Sequence, residues 1–124
     1  CYNANPDSMA AALDTLEALA KADGHARPRT VAVLGDMLEL GEDSAAWHRE
    51  AVTRAQAVAD RSVFIGPRFG AAMKGSDAAW FATVEDARPH VATLLTPGTL
   101  VLLKGSRGLA LEGLLTGLGE SAVA

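Results

Sequence analysis

Short apolar runs that stop at a polar turn alternate along this chain with segments of helical period, and that alternation restricts the fold more than any other feature. Thr30-Val31-Ala32-Val33-Leu34 runs into Gly35-Asp36, Ser62 to Ile65 into Gly66-Pro67, and Thr99-Leu100-Val101-Leu102-Leu103 into Lys104-Gly105, with a briefer run at Ala79 to Ala82. A continuous apolar run, without the alternation of a half-exposed strand, reads as a strand buried on both faces. Parallel neighbours cannot be joined by hairpins, so the segments between the runs must be crossovers, which are right-handed.

The intervening segments fit that role. From Asp7 to Ala22 the residues Met9, Leu13, Leu16 and Ala20 recur at helical spacing, with Asn5 placed as the cap, Pro6 at the first position and Asp7 in the first turn. A helix from about Ala45 to Ala59 is expected to place Trp47, Ala51, Ala55 and Val58 along one face, with Glu42, Asp43 and Ser44 as cap candidates. Arg68 to Lys74 suggests a short helix. Thr83 caps another over Val84 to Leu95, and a last helix falls near Leu109 to Leu118. Cys1 to Asn3 reads as the end of a further strand, so the chain is expected to be a piece cut from a larger protein. Ser121 to Ala124 reads as a frayed tail. The fold class is therefore α/β: a Rossmann-like three-layer domain with a mainly parallel sheet of about five to six strands, one domain over residues 1–124.

Charge and cysteine usage exclude several functions. The net charge is −4 with both signs interspersed, so no basic run marks a nucleic-acid or anionic-membrane partner. No apolar stretch approaches the ~18 residues of a membrane span. The single cysteine, Cys1, allows neither an internal disulfide nor a multi-thiolate metal site and suits a reducing cytosol. His25 and His90 lack metal-ligand spacing, and no serine stands in a nucleophile context, so no catalytic residue and no metal ligand is assigned.

In an open α/β sheet, ligands gather beyond the carboxyl ends of the strands. The polar residues at those ends are Asn3 and Asn5, then Asp36 and Glu39, then Lys104, Ser106 and Arg107. In Lys104-Gly105-Ser106-Arg107-Gly108 the glycines let backbone N–H groups approach an anion, and the cations supply full charge; a plain strand-to-helix turn with solvated cations is the competing reading. The carboxylates in Gly35-Asp36-Met37-Leu38-Glu39-Leu40-Gly41 suit a cation, an amine or ribose hydroxyls, or Asp36 simply bonds the backbone of its own turn. His48 reads either as a site imidazole or as a packed one. Neither the phosphate-loop spacing nor the dinucleotide fingerprint occurs.

Taken together, Tyr2-Asn3-Ala4-Asn5-Pro6-Asp7-Ser8-Met9, Val33 to Gly41 with His48 seven residues on, and Leu103-Lys104-Gly105-Ser106-Arg107 resemble the C-terminal domain of the Mur ligases, over essentially the whole chain. Within that family the resemblance is to the branch that joins D-alanyl-D-alanine to UDP-N-acetylmuramoyl-tripeptide in peptidoglycan synthesis. It implies an ATP-dependent amide ligase of the bacterial cytoplasm in which ATP, with Mg2+, activates the tripeptide carboxylate as an acyl phosphate that the dipeptide amine attacks. Two preceding domains would supply the UDP-sugar site, the phosphate loop and the magnesium ligands. This chain would be the closing lid, inactive and without tightly bound cofactor alone, in an enzyme expected to be a monomer. The resemblance turns Tyr2, Asn3 and Asn5 toward the nucleotide, Lys104, Ser106 and Arg107 toward the amino substrate's carboxylate and the phosphates, and sets Asp36, Glu39 and His48 beside the cleft. Two alternatives use the same residues: a stand-alone nucleotide- or anion-binding module, and an interaction domain whose polar edge meets another protein.

Overall fold

A computed structural model describes residues 5–22, 29–73, 78–105 and 122–123 of the chain. Helix α1 covers Pro6–Ala22, strand β1 Arg29–Gly35, helix α2 Ser44–Val58, β2 Arg61–Ile65, α3 Pro67–Ala72, β3 Ala79–Phe81, α4 Val84–Leu94, β4 Thr99–Lys104 and β5 Ala122–Val123. All strand pairs are parallel, in the order β3-β2-β1-β4-β5. The chain steps outward from β1 through β2 to β3 and then returns to the other side of β1 as β4. That reversal places the topological switch point between the carboxyl ends of β1 and β4, where Leu34 is in register with Lys104.

The continuous apolar runs are explained by burial on both faces. On one face Ala32, Leu34, Phe64 and Leu102 pack with Met9, Leu13 and Leu16 of α1, Ala51, Ala55 and Val58 of α2, and Phe69 of α3. On the other, Val31, Val33, Val63, Ile65, Val101 and Leu103 pack with Val84, Ala87 and Val91 of α4. The expected three-layer α/β arrangement is thus present, and Met9, Met37 and Met73 all fill core space.

Local chemistry sets the helix starts. Asn5 Oδ1 accepts the Ser8 N–H at 2.8 Å while Ser8 Oγ accepts the Asn5 N–H at 3.1 Å, a reciprocal cap that fastens α1. Thr83 Oγ1 accepts the Asp86 N–H at 3.1 Å at the start of α4, as the sequence predicts. At α2 the expectation fails: Asp43 occupies the cap position without a side-chain bond, because Gly41–Asp43 winds a 3-10 turn straight into the helix. The α2 face also differs. Trp47 is 38% exposed, and the buried stripe starts with His48 instead. At the other end of the chain Ala122–Val123 is no frayed tail; it pairs with Leu100 and Val101 and makes the fifth strand. The expected strand at Cys1 to Asn3 and the helix near Leu109 to Leu118 lie outside the described residues.

Candidate functional site

The carboxyl edge of the sheet is built around the turn that follows β1. The Asp36 N–H makes a last ladder bond to the Ile65 carbonyl at 3.1 Å, after which the chain leaves the sheet. Its carboxylate is 2% exposed and turns toward α3, accepting the Phe69 N–H on Oδ1 at 2.9 Å and the Arg68 N–H on Oδ2 at 3.0 Å, with the Arg68 guanidinium 3.6 Å away. Two of the N–H groups that a helix start leaves without partners are thereby satisfied by a side chain from another strand. Asp36 therefore does bond backbone, but across the sheet rather than in its own turn.

That contact requires Gly66. Its φ of 117° and ψ of 158° lie in a region open essentially to glycine alone, and a Cβ there would stand 2.4 Å from the Asp36 carboxyl carbon. The Trp80 indole N–H donates to the Gly66 carbonyl at 2.7 Å, closing the block from the β3 side.

His48 is wholly buried and packs T-shaped with Phe69, ring centroids 4.6 Å apart. Its Nε2 accepts the Met37 N–H at 3.0 Å and its Nδ1 lies 2.7 Å from the Ser44 carbonyl. An amide N–H can only donate and a carbonyl can only accept, so the proton sits on Nδ1 and the ring is neutral. Burial holds its pKa below the usual 6.5, against the opposing pull of the Ser44 carbonyl and the Asp36 charge; the Arg68 charge adds to the lowering. The unfolded chain therefore takes up this proton first on acidification. Stability is retained above about pH 6.5 and falls below it, with a slope of up to about 1.4 kcal/mol per pH unit from this group. Thermal melts from pH 8 to 5 should show that acid loss in the wild type and a smaller one in His48→Gln.

With Asp36 and His48 committed inside, the exposed part of the turn is Leu38 and Glu39. Glu39 sits at φ 62°, left-handed for a non-glycine residue, and Gly41 at 66°. Lys104, half-buried, ends β4 next to buried Gly105 across the switch point. Asn5 is exposed at the start of α1, its side chain engaged in the cap. So the pairing of β1 with β4 brings Lys104 and the Asp36–Gly41 turn to the same carboxyl edge of the sheet, whereas His48 belongs to the core behind it. Tyr2, Asn3, Ser106 and Arg107 lie outside the described residues.

The feature missed from sequence is the Gly66–Asp36–α3 lock. Its signal was Gly66-Pro67, a glycine after a strand and a proline at a helix start, which together mark a constrained entry.

A groove of about 430 Å3 between α1 and α2 is lined by Met9, Leu13, Trp47 and Ala51, among others, and reaches the turn after β1 through Met37, but not Asp36, Glu39 or Lys104. No described helix is long and apolar enough to cross a membrane, and no three His, Cys, Asp or Glu side chains among the described residues are grouped to hold a metal.

The family profile described as Mur ligase, glutamate ligase domain, matches residues 1–107. A UDP-N-acetylmuramoyl-tripeptide–D-alanyl-D-alanine ligase of Treponema pallidum is 40% identical over 92% of this chain and 25% of its own length. A crystal structure of MurF from Acinetobacter baumannii superposes with a TM-score of 0.74 at 31% identity, covering 94% of this chain and 26% of that one. The MurF ligase from Thermotoga maritima, solved in complex with ADP, gives 0.69 at 26% identity over 93% of this chain and 26% of its own. The chain thus spans about a quarter of the length of the relatives it matches.

Proposed function

Because this chain belongs to the Mur ligase family as its glutamate ligase domain, we propose that it forms the substrate-facing wall of a ligase that joins D-alanyl-D-alanine to UDP-N-acetylmuramoyl-tripeptide in the bacterial cytoplasm. The observation that carries the reading is the placement of Lys104, a cation at the carboxyl end of β4, opposite the Asp36–Gly41 turn at the switch point.

A half-buried lysine at such a strand end suits a carboxylate or a phosphate, groups that the dipeptide and ATP carry. ATP supplies the activation of the tripeptide carboxylate when bound. Lys104 offers a counter-charge for an anion, and in this proposal the magnesium ligands belong to the other domains of the ligase. The contribution of this chain is to bind and orient: Lys104 would hold the dipeptide's terminal carboxylate so that its amine faces the activated carbonyl, while the rigid turn closes the crevice against water. Ser106 and Arg107 extend the same segment, and Tyr2, Asn3 and Asn5 complete the nucleotide side in this proposal.

Steady-state kinetics of the full-length polypeptide test it. Lys104→Ala should lower kcat/KM for the dipeptide about 30-fold, the loss of ~2 kcal/mol expected for one charge-assisted contact. Unchanged KM and kcat for the dipeptide in a folded Lys104→Ala enzyme would remove Lys104 from this role.

A further inference from the structure

We propose that His48, which touches no substrate, is the positioning residue of this wall: its imidazole stands in for the missing strand carbonyl and holds the turn after β1 in one geometry. The inference rests on the reading of that turn as substrate-facing. Asp36 makes the last ladder bond, to the Ile65 carbonyl at 3.1 Å, so Met37 carries the first N–H for which the sheet offers no acceptor. That N–H points inward with a buried side chain, where an unmet donor is costly. His48 Nε2, 11 residues further along and on α2, accepts it at 3.0 Å.

The clasp closes on itself. The Phe69 N–H bonds Asp36 Oδ1 at 2.9 Å, and the Phe69 and His48 rings meet in a T-shaped contact. Asp36 and Met37 are thus fastened to α3 and α2 respectively, and Leu38 and Glu39 are presented from that fixed base. The left-handed backbone of Glu39 fits this picture, since a strained residue persists only where its surroundings over-determine it.

The clasp also depends on protonation. A proton on Nε2 sets two donors face to face, His48 against the Met37 N–H, and releases the turn. The charged groups that face the ring are Asp36, which favours the proton, and Arg68, which opposes it.

Kinetics of the full-length polypeptide with His48→Leu and His48→Gln provide the test. Leucine fills space but leaves the Met37 N–H without an acceptor, whereas the Gln amide oxygen restores one. His48→Leu should raise the KM of a crevice substrate about tenfold with a smaller change in kcat, and His48→Gln should bring it back to within about threefold. Wild-type KM should also climb on acidification, at a pH below the ordinary histidine value because burial lowers the pKa of the folded ring, an acid limb that His48→Gln flattens. A folded His48→Leu enzyme with wild-type KM overturns the proposal. If His48→Leu does not fold, an unaltered acid limb in His48→Gln overturns it. Absence of dipeptide-dependent ligation by the wild type defeats the functional reading and the positioning role together, whereas ligation with an Nε2-protonated His48 in the 15N-histidine spectrum at pH 8 defeats the positioning role alone.

Discussion

Gly66→Ala is expected to destabilise the fold by about 4 kcal/mol, enough to leave a marginally stable domain largely unfolded at physiological temperature. Two independent effects combine. The backbone conformation of Gly66, φ 117° and ψ 158°, is one that an L side chain rarely adopts. The added Cβ would also meet the Asp36 carboxyl carbon at 2.4 Å. That carboxyl cannot swing aside without giving up the Arg68 and Phe69 N–H groups. Denaturant unfolding checks the prediction, and a midpoint within experimental error of wild type would show that the β2–α3 junction shifts to accommodate the Cβ.

Asp36→Ala should cost about 3 kcal/mol, because it removes a charged acceptor from two helix-start N–H groups, one of them on wholly buried Phe69. Asp36→Asn should lose less, since one amide oxygen still accepts while its NH2 faces a donor. The two sites share a contact, so their effects should not add: Gly66→Ala in the Asp36→Ala background is expected to cost visibly less than in the wild type. What remains in the double variant measures the backbone conformation alone. Additive costs would mean that the Cβ–carboxyl contact contributes nothing.

The framework of the fold was legible because burial on both faces writes itself as continuous apolar runs. Val31 and Val33 face α4 while Ala32 and Leu34 face α1, α2 and α3, and no polar residue interrupts them. The Thr83 and Asn5 caps were legible too, since capping is local in sequence. What sequence did not show is long-range. Asp36 finds its partners 32 and 33 residues away, and no spacing rule relates a strand-end carboxylate to a helix that begins after another strand. His48 was ambiguous for the same reason: its partner Met37 is brought to it by the packing of α2 on the sheet. Trp47 misled because its neighbour, rotated about 100° around the helix, occupies the buried position. Ala122–Val123 carries too short a run to announce a strand; its pairing with β4 supplies what composition does not.

These corrections change the site more than the fold. Of the residues that sequence put at the polar edge or beside the cleft, Asp36 and His48 form a buried scaffold, while Glu39 is exposed and Lys104 half-buried. In the function proposed above, this domain keeps its carboxylate and imidazole inside, where they fix the turn after β1, and would meet substrate with the residues beyond them.

The most direct test of the account is dipeptide-dependent ADP release by the full-length polypeptide supplied with UDP-N-acetylmuramoyl-tripeptide, ATP and D-alanyl-D-alanine, compared with the same polypeptide lacking residues 1–124. The account predicts ligation by the first and none by the second. Ligation that survives removal of these residues, or ADP release indifferent to the dipeptide, would contradict it.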